Sequence, residues 1–155
     1  MLPRGMGKSM SNNQDLKSKL EEFASQKGPT LADSLGIEFL TVSTEKVSAR
    51  MPVDQRTIQP QGLLHGGASI ALAETLASIG GWLQVEADGK TVVGQEINAN
   101  HLRAVRSGYV TGTAEPIHLG GRSQVWQIKI ENDQGKLICI SRCTLSVITP
   151  KSTSA

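Results

Sequence analysis

Between Arg56 and Glu86 the chain runs for 29 residues, 57 to 85, with a single formal charge, Glu74. The second part of this stretch, Ala68 to Val85, carries apolar or small residues nearly all round a helical period, and such a helix in a water-soluble chain is buried on most sides. Something must therefore wrap it. Upstream, Thr41 to Ser43 and Lys46 to Val53 read as an opening strand pair, with Val47, Ala49 and Met51 on one face. Downstream, four strand candidates follow at regular spacing: Val92 to Asn98, Gly108 to Glu115, Gln124 to Glu131 and Lys136 to Ile148. The last two are joined by Asn132-Asp133-Gln134-Gly135, a hairpin turn. Within the third run Trp126, Ile128 and Ile130 alternate with Gln127, Lys129 and Glu131, so one face is dry and the other wet. The predicted fold class is α+β, an antiparallel sheet wrapped around one long central helix.

A chain of 155 residues and 16.5 kDa accommodates one such unit and not two. Aromatics are only 3%, so the core is built from Ala, Val, Ile and Leu with much Gly. Residues 1–14, rich in Ser, Asn and Gly, are expected to form a flexible extension, residues 15–149 the domain, and residues 150–155 a flexible tail. Asp15 to Phe23 opens the domain as a short amphipathic helix, with Leu16, Leu20 and Phe23 at helical spacing. A net charge of +2, scattered along the chain, argues against a nucleic-acid partner. Glu74, Gln84 and the GlyGly pairs argue against a membrane span, and the absence of an apolar run in Met1 to Gln14 points to the cytoplasm. Cys139 and Cys143, four apart in one strand, lie about 13 Å apart, too far to bond, and read as reduced core residues.

Glu74 is the first candidate for chemistry. A carboxylate among Ala71, Leu72, Ala73, Leu76 and Ala77 finds a partner, is held neutral by burial, lines a pocket, or lies on a narrow solvent-facing stripe. Ser78, four residues on, shares its face and offers a hydroxyl to a water or ligand. Just before the helix stands His65-Gly66-Gly67, where two glycines allow close approach to backbone N–H groups that stabilise developing negative charge. Glu74 is eight residues from Gly66, about 12 Å along a helix axis, so one chain cannot offer both groups to the same carbonyl carbon. If both act, the site lies between two subunits. His65, His101 and His118 lack partners at metal-ligand spacing, so no metal site is expected, and neither a Ser/His/Asp set nor a phosphate loop is present.

Gln59-Pro60-Gln61-Gly62-Leu63-Leu64-His65-Gly66-Gly67, running into Leu72-Ala73-Glu74-Thr75-Leu76-Ala77-Ser78, resembles the signature of hotdog-fold acyl-CoA thioesterases. The branch is the one with a helix-borne Glu, which includes 4-hydroxybenzoyl-CoA and phenylacetyl-CoA-type thioesterases. Val93 to His101 and His118 to Trp126 extend the likeness, particularly to members acting on 1,4-dihydroxy-2-naphthoyl-CoA in menaquinone biosynthesis and to paralogues that proofread aryl carrier proteins. The resemblance implies hydrolysis of an acyl-CoA, aromatic by preference, to free acid and CoA. It casts Glu74 as general base or nucleophile and the Gly66 N–H, supported by Gln59, as the group polarising the thioester oxygen. His65 would shape that pocket, Ser78 would orient water or the acyl group, and His101 with Gly67 would line the acyl site. Gly120, Gly121, Arg122 and Arg142 would meet the nucleotide end of CoA. The family assembles as dimers with shared sites, usually paired into homotetramers; it needs no cofactor, since coenzyme A arrives as part of the substrate. Against this stand a non-catalytic hotdog module that binds acyl-CoA as sensor or scaffold, and a thioesterase acting on an acyl or aryl carrier protein.

Overall fold

The computed structural model describes residues 6–26 and 28–151. Nine residues of helix α1 precede the predicted amphipathic start: α1 runs Met6–Ser25 and contains the expected Asp15 to Phe23 segment. No proline interrupts residues 6–14, so the helix propagates back through the stretch expected to be a flexible extension. A five-residue helix, α2 (Leu31–Leu35), was not foreseen. Its start is set by Asp33, whose carboxylate accepts from the Thr30 N–H at 2.6 Å and the Thr30 hydroxyl at 2.7 Å, and its end by Gly36 at φ 68°.

The strands β1 (Glu38–Val42), β2 (Val47–Pro52), β3 (Thr91–His101), β4 (Tyr109–Leu119), β5 (Ser123–Asn132) and β6 (Leu137–Ile148) form one antiparallel sheet in the order β1-β2-β4-β5-β6-β3. The β5–β6 hairpin closes as the sequence predicts: Asn132 Oδ1 accepts from the N–H groups of Gln134 and Lys136, both at 3.0 Å. The alternation also holds, with Trp126, Ile128 and Ile130 fully buried and Lys129 and Glu131 exposed. Register carries this dry face across the sheet. Val47, Ala114, Ile128, Ser141 and Ala99 are aligned neighbours from β2 to β3, and Ala49, Gly112, Ile130, Cys139 and His101 form the next such row. Both cysteines are free and buried on β6.

Helix α3 (Gly66–Val85) links β2 to the far edge strand β3 and lies across the dry face. Leu72, Leu76, Ala73 and Ala77 have no exposed surface; truncating either leucine to alanine costs about 2–5 kcal/mol. The one buried polar pair beside the helix is satisfied, Trp126 Nε1 donating to Gln124 Oε1 at 2.9 Å and Gln124 Nε2 to the Gly81 carbonyl at 3.2 Å. Burial is less complete than the apolar pattern implied. A stripe of half-buried positions, Ile70, Ala71, Glu74, Thr75, Ser78, Ile79 and Trp82, runs the length of α3 at i, i+4 spacing. Helix α1 covers its far end, where Phe23 stacks on Trp82 with centroids 5.2 Å apart and Lys19 pairs with Glu86. No helix among the described residues is long and apolar enough to cross a membrane.

Candidate active site

The loop before α3 is fixed by its own backbone. His65 N–H bonds to the Thr57 carbonyl, Gln59 N–H to Leu63 and Gly62 N–H to Gln59, each at 2.8 Å, and Leu64 N–H reaches the Val105 carbonyl across the β3–β4 connection at 2.8 Å. Gln59 Oε1 accepts from the Gln61 N–H, which holds the amide over the turn. His65 is the N-cap of α3, and its Nδ1 accepts from the Gly67 N–H at 2.8 Å. An accepting Nδ1 carries no proton, so the ring proton of a neutral His65 is on Nε2.

This cap has a consequence for its neighbour. With the Gly67 N–H taken, the Gly66 N–H has no acceptor among the described residues, as expected of the first position of a helix. It sits in a cleft of about 400 Å³ whose walls include Gln59, Leu64, Gly66, Ser69, His101 and Arg103. His101, at the end of β3, packs its ring closely against Gly66: a Cβ there would be 2.8 Å from His101 Nε2, so any larger residue must push the ring aside. Gln59, Gly66 and His101, singled out in the sequence, line this one cleft. Ser69, Arg103 and Ile138 were not singled out, since they reach it from α3, the β3–β4 connection and β6 with no common motif to mark them.

Glu74 lies in a different place. It is half-buried on the open stripe of α3, and its carboxylate rests against the backbone of β3 at Gly94, where a Cβ would collide with Oε1. Next to this contact the β3–β6 register slips between Gly94 and Glu96, a bulge at Gln95 that bends the strand. A lone glycine inside a strand pattern is the sequence signal for such an approach, and it passed unread. The carboxylate makes no hydrogen bond among the described residues, and neither oxygen is sealed from water. Its charge is felt below: burial first, then Glu74 and Glu96, push the Cys143 thiol up to about 12, which removes Cys143 as a nucleophile. Ser78 follows one turn on, also half-buried.

Since Gly66 and Glu74 belong to one unbroken helix, the separation of about 12 Å stands, with Gly66 facing His101 and Glu74 facing Gly94. Of the remaining candidates, the β4–β5 turn groups with the Glu74 end. Gly120, Gly121 and Arg122 form the β4–β5 turn, in line through Leu119, Gln124 and Leu145 with Gly94, and the space around Gly121 is open. Arg142 is exposed on β6, paired in register with Asn98 on one side and Gln127 on the other. Gly67 is exposed beside the cap.

Residues 61–139 match the model of the thioesterase superfamily. The chain is 47% identical over 132 residues to the 1,4-dihydroxy-2-naphthoyl-CoA hydrolase of Escherichia coli, covering 85% of this chain and 96% of that protein. It is 52% identical over 119 residues to the proofreading thioesterase EntH of Cronobacter turicensis, covering 77% of this chain and 86% of that protein. The crystal structure of a thioesterase from Haemophilus influenzae superimposes with a TM-score of 0.80 at 51% identity, over 88% of this chain and 94% of that one. A six-stranded antiparallel sheet around one long helix agrees with these likenesses, and the chain belongs to the thioesterase superfamily as a hotdog-fold thioester hydrolase.

Proposed function

We propose that the chain hydrolyses an aromatic acyl-CoA, of the 1,4-dihydroxy-2-naphthoyl class, at sites shared between two subunits. The observation that carries this reading is the division of α3: among the described residues the Gly66 amide has no acceptor and the Glu74 carboxylate no donor, and the two are too far apart to meet on one carbonyl. Strand β3 supports the sharing. It is an eleven-residue edge strand with one neighbour, β6. Antiparallel pairing of two β3 edges about Ile97 and Asn98 sets Gly94 of one copy opposite His101 of the other, and so brings the partner's Glu74 to the Gly66 cleft.

In that setting the thioester oxygen accepts from the Gly66 N–H and the Gln59 amide, and the partner's Glu74 faces the carbonyl carbon. Glu74 either takes a proton from the attacking water or attacks itself, forming an anhydride that water then opens; both routes release the CoA thiol and a carboxylic acid. Single-turnover hydrolysis in isotopically labelled water separates them, since only the second leaves label in the enzyme. Ser78 lies where its hydroxyl orients water or acyl group, His101 walls the acyl site, and His65 holds Gly67 so that Gly66 alone remains to donate. The name of the E. coli relative, a 1,4-dihydroxy-2-naphthoyl-CoA hydrolase, supports the acyl class, and menaquinone biosynthesis is the setting it suggests.

The test is thiol release across aromatic, aliphatic and hydroxylated acyl-CoAs, repeated on mixed subunits. Glu74→Ala and Gly66→Pro chains are each inactive alone; proline suits the first helical position and removes the donor. Coexpressed, random pairing makes half the dimers mixed, each with one intact site of two, and recovers about a quarter of wild-type activity. Mixed dimers confirmed by mass but without turnover reject the shared site, and acyl-CoA binding without turnover in the wild type leaves the non-catalytic module.

A further inference from the structure

Residues 97–114 contain no Asp or Glu, but carry Arg103 and Arg106. This segment ends β3 and connects it to β4, so it forms the wall of the Gly66 cleft on the side of His101. Arg103 lines the cleft itself. Its Nη1 donates to the Leu137 carbonyl at 2.7 Å, and its backbone N–H reaches the Ile138 carbonyl at 3.4 Å. Arg106 donates from Nη1 to the Gln61 carbonyl at 3.4 Å, on the loop that carries Gln59.

These anchors differ from those of Arg50 and Arg56, whose guanidiniums are paired with Glu38 and Asp54 at 2.7 Å. Arg103 and Arg106 have no carboxylate partner among the described residues. A backbone carbonyl orients a guanidinium through one N–H and leaves its charge and its other donors available, which is the arrangement that suits a phosphate. A thioester whose oxygen sits on the Gly66 N–H must send its sulfur arm out of the cleft past one of its walls. Of the cleft walls, Arg103 alone carries a full positive charge.

We propose that Arg103, with Arg106 beside it, binds the phosphate end of the substrate's thiol arm and selects thioesters of coenzyme A over those of uncharged thiols. The assignment rests on the thioester hydrolysis proposed above and concerns the wall of the Gly66 cleft, which neither the Gly120 to Arg122 turn nor Arg142 of the same chain lines. It assigns Arg103 to binding, so its removal acts on KM and not on the chemical step.

The experiment uses the whole chain and one aromatic acyl group carried on CoA, on 4′-phosphopantetheine and on pantetheine, with kcat and KM read separately. Arg103→Gln raises KM for acyl-CoA about tenfold with kcat within about twofold, the worth of one charge-assisted hydrogen bond. Arg103→Lys recovers most of the loss, and Arg106→Gln, at an exposed position, gives a smaller rise. KM for acyl-pantetheine does not move. A rise shared with acyl-phosphopantetheine puts the contact at the phosphate that CoA and carrier proteins have in common; a rise confined to acyl-CoA puts it at the nucleotide end, and both outcomes support the proposal. An equal rise on acyl-pantetheine, or no rise on acyl-CoA, overturns it while wild-type turnover of all three thioesters leaves the hydrolase reading intact. A wild type that turns over none of them overturns the hydrolase reading first.

Discussion

The surroundings of Gly66 and of Glu74 on α3 are built in opposite ways. At Gly66 everything is local and closed: a backbone-bonded loop, a histidine cap on the next amide and an imidazole packed on the glycine leave one donor free. At Glu74 no donor among the described residues answers the carboxylate, which rests on the bare backbone of Gly94 beside a bulge in an edge strand. The first arrangement makes an N–H available by satisfying its neighbour. The second makes a carboxylate available by surrounding it with backbone and leaving its oxygens wet. In the proposed reading these are two half-sites of different construction, and the difference predicts different sensitivities to change.

The largest expected effect is at the acid. Glu74→Gln preserves size and removes the basic oxygen, and lowers kcat by about 10²-fold or more with an unchanged melting temperature. Thiol release within a few-fold of wild type would sink the role given to Glu74.

A sharper test sets the two glycines against each other. Gly94→Ala drives a methyl into the Glu74 carboxylate, and the acid must swing off its place; kcat falls about tenfold. Gly66→Ala presses instead on the His101 ring, the end of a side chain at a strand terminus, and keeps the N–H, so its loss in kcat is smaller. Steady-state kinetics of the two variants should rank Gly94→Ala as the worse; the reverse order would mean that the acid half tolerates displacement better than the amide half.

These contrasts also explain what the sequence could tell. The single charge in 57–85 announced Glu74, and the GlyGly before the helix announced Gly66, because each breaks a strong local pattern. Helix α3 and the strand alternation were legible for the same reason: periodicity is local. The partner of Glu74 was not, since Gly94 meets it only through the packing of an edge strand twenty residues downstream. Nor was the open stripe of α3. Small residues such as Ala71 and Ser78 read equally well as buried or half-covered, and only the end of the helix facing Trp82 has α1 to cover it. Arg103 escaped because its meaning depends on which carbonyl holds it, a contact across 34 residues.

The smallest effect expected is on the buried thiol that lies between these regions, and it separates burial from charge. Cys143 has no exposed surface, and its thiol is raised to about 12 chiefly by that burial, with Glu74 and Glu96 adding repulsion of the thiolate. At pH 8 only about one thiol in ten thousand is ionised, so a small alkylating reagent leaves the folded protein unmodified and fully active over hours, while unfolded chain reacts at both cysteines. The sign for stability follows. The folded state holds this proton more tightly than the unfolded chain, so the contribution is complete below the ordinary value of 9.0 and is lost as pH rises from there toward 12. Glu74→Gln removes one of the two charges but none of the burial, and the alkylation rate rises by no more than about a few-fold. A much larger acceleration in Glu74→Gln, with the melting temperature unchanged, would show that the Glu74 carboxylate governs the interior beneath it more strongly than the desolvated thiol's own surroundings do.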